Sequence, residues 1–347
     1  MQAIDRRAIK RRSSSIWIAC SAALLLSATA TAQQKFVDDA RRTVTLPNKV
    51  ERVFAAGAPA EVLLYTLVPE KMVGRNHMPD SAALEFMPAE LRQPVQIMNL
   101  PNADDANNDK ELLALKPDVY IDYGDVLDDY VNSVKSVQQR TGIPGIILDG
   151  GIESIPGVYR RLGNALNVKS RGEQMARQAE QLLAKYRGIL HKSTTPRAYL
   201  ACSNDATLPC LEGERNGEII KYLGAINVAG SITTAPKRPI TVADMKTWNP
   251  DVIIVSSNAA AQRIRNDAAW QSIKAVAEQR VYAPPSLPFN WGPRPPSVNR
   301  LMGMMWLAYV LPGKPFDSAF SADMRNFFKN FYHVTLSDEQ LQRLLAN

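Results

Sequence analysis

The sequence predicts an α/β protein of two lobes, each with a parallel sheet flanked by helices, joined by one long interlobe helix. Three observations predict it. The stretches ELLALKPDVYIDYG (Glu111–Gly124) and DMKTWNPDVIIVSS (Asp244–Ser257) share one plan. The order of apolar runs and turn signals reads β-α-β-α-β on either side of the chain's middle. Between the halves, residues 168–190 repeat their apolar side chains at helical spacing.

In each of the paired stretches a short helical run ends at Lys116 or Asn249. Pro117 and Pro250 disfavour helix at the residue before them, so both mark a switch from helix to strand. The strands that follow, Val119–Ile121 and Val252–Val255, are near-continuous apolar runs, as strands buried on both faces are. Upstream, Arg52–Arg75 reads strand, loop, helix, strand, with Pro59 suited to the first helical turn. Arg197–Ala229 reads strand, longer loop, then a helix from about Gly217 to Gly224. Val168, Met175, Ala176, Ala179, Leu182, Leu183, Tyr186, Ile189 and Leu190 give the connecting helix about six turns. Helices are expected at about Ser297–Val310, near Ala322–Phe331 and from Ser337, where Gln340 three residues on completes a capping box.

Residues 1–32 read as an export signal, which leaves an N-terminal lobe over 33–166, the interlobe helix over 167–192 and a C-terminal lobe over 193–347. A basic start, MQAIDRRAIKRR, precedes an apolar core from Ile16 to about Leu26, and Ala30-Thr31-Ala32 fits a cleavage site. The core is too short to span a bilayer. Arg11-Arg12 suggests twin-arginine export, but Ser-Ser-Ser-Ile follows; Cys20 suggests a lipid anchor, but Trp17-Ile18-Ala19 is a poor lipobox. The basic start also explains the net charge. It holds Arg6, Arg7, Lys10, Arg11 and Arg12 against Asp5, which is +4 of the total +7 and leaves +3 for the rest. No run of like charges remains, so no nucleic-acid footprint is read. Without the signal two cysteines remain, Cys202 and Cys210; in an oxidising compartment a pair this close is most simply a disulfide.

The motifs of catalysis are missing from the sequence. It has no G-x-S-x-G, no phosphate loop, no G-x-G-x-x-G and no H-E-x-x-H. Its three histidines, His77, His191 and His333, fall in separate segments, so neither a metal site nor a cofactor is expected. In open α/β sheets ligands bind at the C-terminal ends of the strands. Here those ends are Ala56–Pro59, Asn76–Met78, Tyr123–Gly124, Ser203–Asn216, Ser256–Asn258 and the stretch after Val281–Pro284.

Five segments carry a family resemblance: RVFAAGAPAEVLLYTL, ELLALKPDVYIDYG, GEIIKYLGAINVAG, MKTWNPDVIIVSS and FFKNFYHVTLSDEQL. Their order over the mature chain resembles the periplasmic substrate-binding proteins of ABC importers for ferric siderophores, haem and cobalamin. The resemblance implies two α/β lobes on one long helix, a ligand between them, delivery to a permease and its ATPase, and no enzymatic chemistry. It also implies docking of the permease by an acidic residue on each lobe, seven residues before the proline of each Pro-Asp. Lys110 and Ala243 stand there; Glu111 and Asp244, one step on, are the candidates.

Within that frame the expected ligand is a metal chelate, first a ferric siderophore, with haem, cobalamin or an oxyanion such as molybdate as alternatives. An exported enzyme or a receptor domain on the same scaffold is the reading from another class. A monomer is expected. Tyr123, following a buried strand, is a ligand contact or a packed aromatic. Arg294 lies in LPFNWGPRPPS (Leu287–Ser297), where four prolines stiffen the backbone and a guanidinium fork suits anionic oxygens. Trp291, flanked by Asn290 and Gly292, is expected to face the ligand, and Phe289 to anchor the loop. Arg215 and Asn216, just before a helix, suit an anion. His77 and Met78 could contact a ligand or haem.

Overall fold

The computed structural model describes residues 33–345 apart from 77, 93–105, 193–194 and 237. The export signal therefore lies outside the described residues. The chain opens with an antiparallel hairpin of β1 (Gln33–Val37) and β2 (Thr43–Pro47), which sequence reasoning had not separated. The first half continues with β3 (Val53–Ala55), α1 (Ala58–Leu67), α2 (Ser81–Leu84), α3 (Ala106–Leu115), β4 (Val119–Gly124), α4 (Asp128–Thr141), β5 (Gly145–Asp149) and α5 (Ile155–Ala165). Then comes α6 (Lys169–Tyr186). The second half holds β6 (Arg197–Leu200), α7 (Glu218–Leu223), β7 (Ile226–Asn227), α8 (Val242–Trp248), β8 (Val252–Ile254), α9 (Asn258–Asn266), α10 (Lys274–Ala277) and β9 (Val281–Tyr282). Three helices close the chain: α11 (Arg300–Val310), α12 (Ser318–Phe331) and α13 (Asp338–Leu345).

Two parallel sheets form, ordered β3-β4-β5 and β7-β6-β8-β9. The fold is thus the expected mixed α/β arrangement of parallel sheets flanked by helices. The strand expected near Met72–Arg75 shrinks to one parallel bridge, Met72 to Val53. It occupies, beside β3, the place that β7 takes beside β6, so both sheets follow one order.

The echo in the sequence has a specific hydrogen-bond basis. Asp118 accepts from the backbone of Glu51 (2.7 Å) and Arg52 (2.9 Å), and Asp251 accepts from Arg197 (2.9 Å). Each aspartate of Pro-Asp thereby ties the start of its own strand to the start of the neighbouring one. The arginines answer it. Arg52 donates to the carbonyls of Leu115 and Lys116, and Arg197 to that of Trp248, at the ends of α3 and α8. These carbonyls have no partner inside their helices. Lys116 and Asn249 end the two helices with positive φ, 45° and 41°.

The connecting helix is shorter than its apolar repeat. α6 spans 18 residues, and the chain turns at Gly188, φ 59°, into a 3₁₀ turn over Ile189–Lys192. Gly172, Met175, Ala176, Ala179, Leu183 and Tyr186 form its buried stripe. α5 crosses it at backbone contact: a Cβ on Gly163 would lie 2.8 Å from the Gly172 Cα, and one on Gly172 would lie 2.5 Å from the Tyr159 carbonyl. Only glycine fits at that crossing.

The last helices do not stay with the second sheet. Phe328 packs on Phe86, Phe331 on Tyr159, and Tyr332 on Tyr65. Ser337 and Gln340 form the expected capping box, and Gln340 donates to the Glu85 carbonyl. One apolar core consequently runs through both halves. The Cys202–Cys210 disulfide forms, with Cα atoms 5.0 Å apart. Among the described residues no helix is long and apolar enough to cross a membrane.

Asp118→Ala and Asp251→Ala each remove acceptors from backbone donors at a strand start. Each should lower stability by roughly 1.5–3 kcal/mol in urea unfolding, the magnitude of hydrogen bonds to charged groups.

Candidate functional site

The C-terminal ends of the two sheets face a cleft, and Arg294 stands in it. Three cavities of about 350, 450 and 690 Å³ share Arg294 in their walls. The guanidinium is exposed and donates to the carbonyl of Cys202 (3.1 Å), so the disulfide loop holds one side of it. No carboxylate pairs with it among the described residues.

The proline loop presents Arg294 through tight packing behind it. Trp291 does not face the cleft. It is 1% exposed, its indole N–H donates to the Leu287 carbonyl (3.2 Å), and its ring lies 6.5 Å from that of Phe328. The expectation that Trp291 points outward is therefore corrected. A large ring beside flexible polar neighbours still gains more by filling the core than by standing in water. The loop's backbone supports the same packing: a Cβ on Gly303 of α11 would lie 1.9 Å from the Trp291 carbonyl. Phe289 anchors the loop as expected, 4.9 Å from Tyr65 and 5.5 Å from Tyr332. Asn290 folds back on Gly292 N (2.6 Å) and lines the 450 Å³ cavity with Ser203, Asn204 and Ser256.

The cleft floor is a charge network that joins the halves. Arg300, the first residue of α11, is fully buried. It donates to the Gly150 carbonyl in the first half and to Glu218 and the Arg215 carbonyl in the second. Glu218 in turn accepts from Ile152 N (2.7 Å). Arg215 pairs with Asp149 at 2.7 Å and lies 3.7 Å from Asp125. Its guanidinium is thus engaged inside the protein, which is where the structure places a residue read as an anion contact. Arg300 was missed, although one charge in the apolar run NRLMGMMWLAYVL was a visible signal.

Tyr123 borders the 350 Å³ cavity but its side chain is buried, and its hydroxyl has no hydrogen-bond partner among the described residues. Burial raises that phenol well above its ordinary value; Arg300 works in the opposite direction. Asn216 lines the same cavity with its side-chain oxygen unpaired. Met78 is 45% exposed and borders none of the three cavities, and His77 lies outside the described residues. Among the described residues no group of three or more His, Cys, Asp or Glu could hold a metal ion.

The other missed residue is Asp122. It follows three apolar residues of β4, is half-buried, and lines the 350 Å³ cavity with Tyr130, Ser133 and Arg294. Its one hydrogen bond comes from Tyr123 N (2.8 Å). Loss of water pushes its carboxyl up to about 6, against the smaller lowering effect of that bond.

These features define a two-lobed binding protein with a cleft at the strand ends. The chain belongs to the periplasmic binding protein family, whose sequence profile matches residues 53–287. It is similar to the molybdate-binding protein MolA of Haemophilus influenzae, 24% identical over 95% of this chain and 99% of MolA. An ABC transporter solute-binding protein from Sulfurospirillum deleyianum superposes with TM-score 0.77, at 22% identity over 90% of this chain and 99% of that one. CeuE of Helicobacter pylori with Ni(II) bound superposes with TM-score 0.66, at 18% identity over 89% and 99%. The resemblance read from the sequence therefore holds at the level of class. The protein is a solute-binding protein of ABC import, not an enzyme, and family membership implies a periplasmic location.

Asp122 makes stability depend on pH. In the folded chain the carboxyl keeps its proton up to about pH 6, against an ordinary value of 3.8, so stability falls as pH rises between those values. Asp122→Asn should therefore be more stable than wild type by about 1–3 kcal/mol at pH 8 and equal to it at pH 3.5. Urea unfolding at the two pH values measures this.

Proposed function

We propose that the protein captures an anionic metal chelate, with a ferric siderophore the first candidate, and delivers it to an ABC permease. The observation that carries this reading is Arg294: an exposed guanidinium without a carboxylate partner among the described residues, held at the junction of three cavities. Guanidinium forks bind anionic oxygens in preference to neutral ones. The 690 Å³ cavity supports an organic shell. Exposed Leu127, Leu208 and Ile232 line it, one from the first half and two from the second. A bare oxyanion such as molybdate is the second reading. It is favoured by the similarity to MolA and by the small polar donors Ser203, Asn204 and Ser256 beside Arg294.

Arg294→Ala should weaken binding of the co-purified ligand, identified by mass spectrometry and absorbance, by at least about 10-fold. Unchanged affinity with an intact thermal melt would return the loop to a purely structural role.

Glu111 is exposed on α3 and free to meet a permease. Asp244 is differently placed. It caps α8 with Thr241 and holds Arg238 through two bonds of 2.7 and 2.9 Å. Docking through the first half is therefore assigned to Glu111, and Asp244 would act as part of a paired surface with Arg238. Glu111→Lys should abolish uptake in cells while leaving ligand affinity unchanged in vitro. Uptake at the wild-type rate would dismiss Glu111 as a docking residue.

A further inference from the structure

The 350 Å³ cavity has mixed character. Arg294 and Asn216 enter it from the second half. Asp122 lines it from the first half, with Tyr130 and Ser133 of α4 beside it. Asp122 makes no ion pair among the described residues; its only bond comes from a backbone amide next to it in sequence. Asp118, the other carboxylate at a first-half strand that holds no cation among the described residues, is instead held by two backbone amides from a neighbouring strand. Asp149, Asp251 and Asp323, which are similarly shielded, each hold a cation at 2.7 Å or less.

A carboxylate without a cation accepts hydrogen bonds and repels anions. Placed in one cavity with a guanidinium that pairs with no carboxylate among the described residues, such a group can sort ligands by whether they carry a proton to donate. We propose that Asp122 determines ligand specificity: the cleft favours an anion that also presents a proton donor, such as a hydroxyl, a protonated oxyacid or a metal-bound water, over a fully deprotonated dianion. This rests on the reading of Arg294 as the anion-binding group. Arg294 takes the anionic oxygen, and the ligand's donor is directed to Asp122. An anion without a donor leaves Asp122 desolvated and facing like charge, an arrangement whose energy falls when the carboxyl takes up a proton.

The other titratable groups on the cavity are Tyr120, Tyr123, Asp125, Tyr130 and Arg294. Burial raises Tyr120 and Tyr123 far from neutrality, so neither changes charge between pH 5 and 8. Asp125 lies 3.7 Å from Arg215. Asp122→Asn therefore isolates the group in question, and the change is close to isosteric.

Two inorganic probes of equal charge and shape test the idea at pH 8: molybdate, which carries no proton, and hydrogen phosphate, which carries one. Calorimetry on the purified mature chain should show wild type preferring hydrogen phosphate. Asp122→Asn should bind molybdate about tenfold more tightly than wild type and lose the preference. Wild-type affinity for molybdate should rise as pH falls through about 6, and the variant's should not. If Arg294→Ala abolishes binding of both anions while Asp122→Asn leaves their ratio unchanged, the role of Asp122 is overturned and the anion reading stands. If neither anion binds wild type or Asp122→Asn at any pH, both fall.

Discussion

The cleft depends on one buried charge. Arg300 is fully enclosed, and its guanidinium meets the Gly150 carbonyl from the first half and Glu218 and the Arg215 carbonyl from the second. An isolated charge at this depth would be strongly unfavourable, and removing one partner of such a pair typically costs roughly 3–5 kcal/mol. The two halves are therefore required to meet at this point with their strand ends facing. That requirement fixes the depth of the cleft. It also accounts for the cations nearby. Glu218 is taken by Arg300 and Ile152 N, and Asp149 is taken by Arg215. Arg294, on the proline loop, holds no carboxylate among the described residues and borders three cavities.

Much of this was legible in the sequence, and the reason is local. The Pro-Asp repeat encodes a complete local device: a helix end with positive φ, a strand start and an aspartate that ties two strands together. Such signals survive without tertiary context, and so did the buried stripe of α6 and the disulfide. What failed depended on contacts distant in the chain. Trp291 was read outward from its flanking residues, but its place is set by Phe328 and by the hole that Gly303 leaves, neither of which a short window shows. Arg215 suits an anion by its place before a helix, but the anion it meets is Asp149, which lies in the other half. Nothing within its strand sets Asp122 apart; the cavity it lines appears only with β4 placed centrally in its sheet.

Specificity then reads as a division of labour between the sheets. The second half brings the guanidinium and a cavity of hydroxyls and amides: Arg294, Ser203, Asn204, Ser256 and Asn290. On the proposal above, the first half brings an acceptor, Asp122, and the exposed phenol of Tyr130, while the Tyr120 hydroxyl is buried against the Val134 carbonyl. A ligand held between them is gripped at an anionic end and at a donor end, which suits a hydrated or hydroxylated chelate better than a symmetric dianion. On that proposal the cleft discriminates by where charge and protons sit on the ligand, beyond total charge alone.

The same network limits movement. α6 crosses α5 at glycine-to-glycine contact, the apolar core continues through α11 and α12 into both halves, and the floor is tied by Arg300. Wide opening would have to expose that core and strand a buried charge, and either change is large against a total stability of about 5–15 kcal/mol. The cleft is therefore held close to its binding geometry before a ligand arrives. A preformed site loses little freedom on binding, so affinity can come from a few placed groups. Release into a permease must then come from outside the cleft, through forces applied to the lobe surfaces.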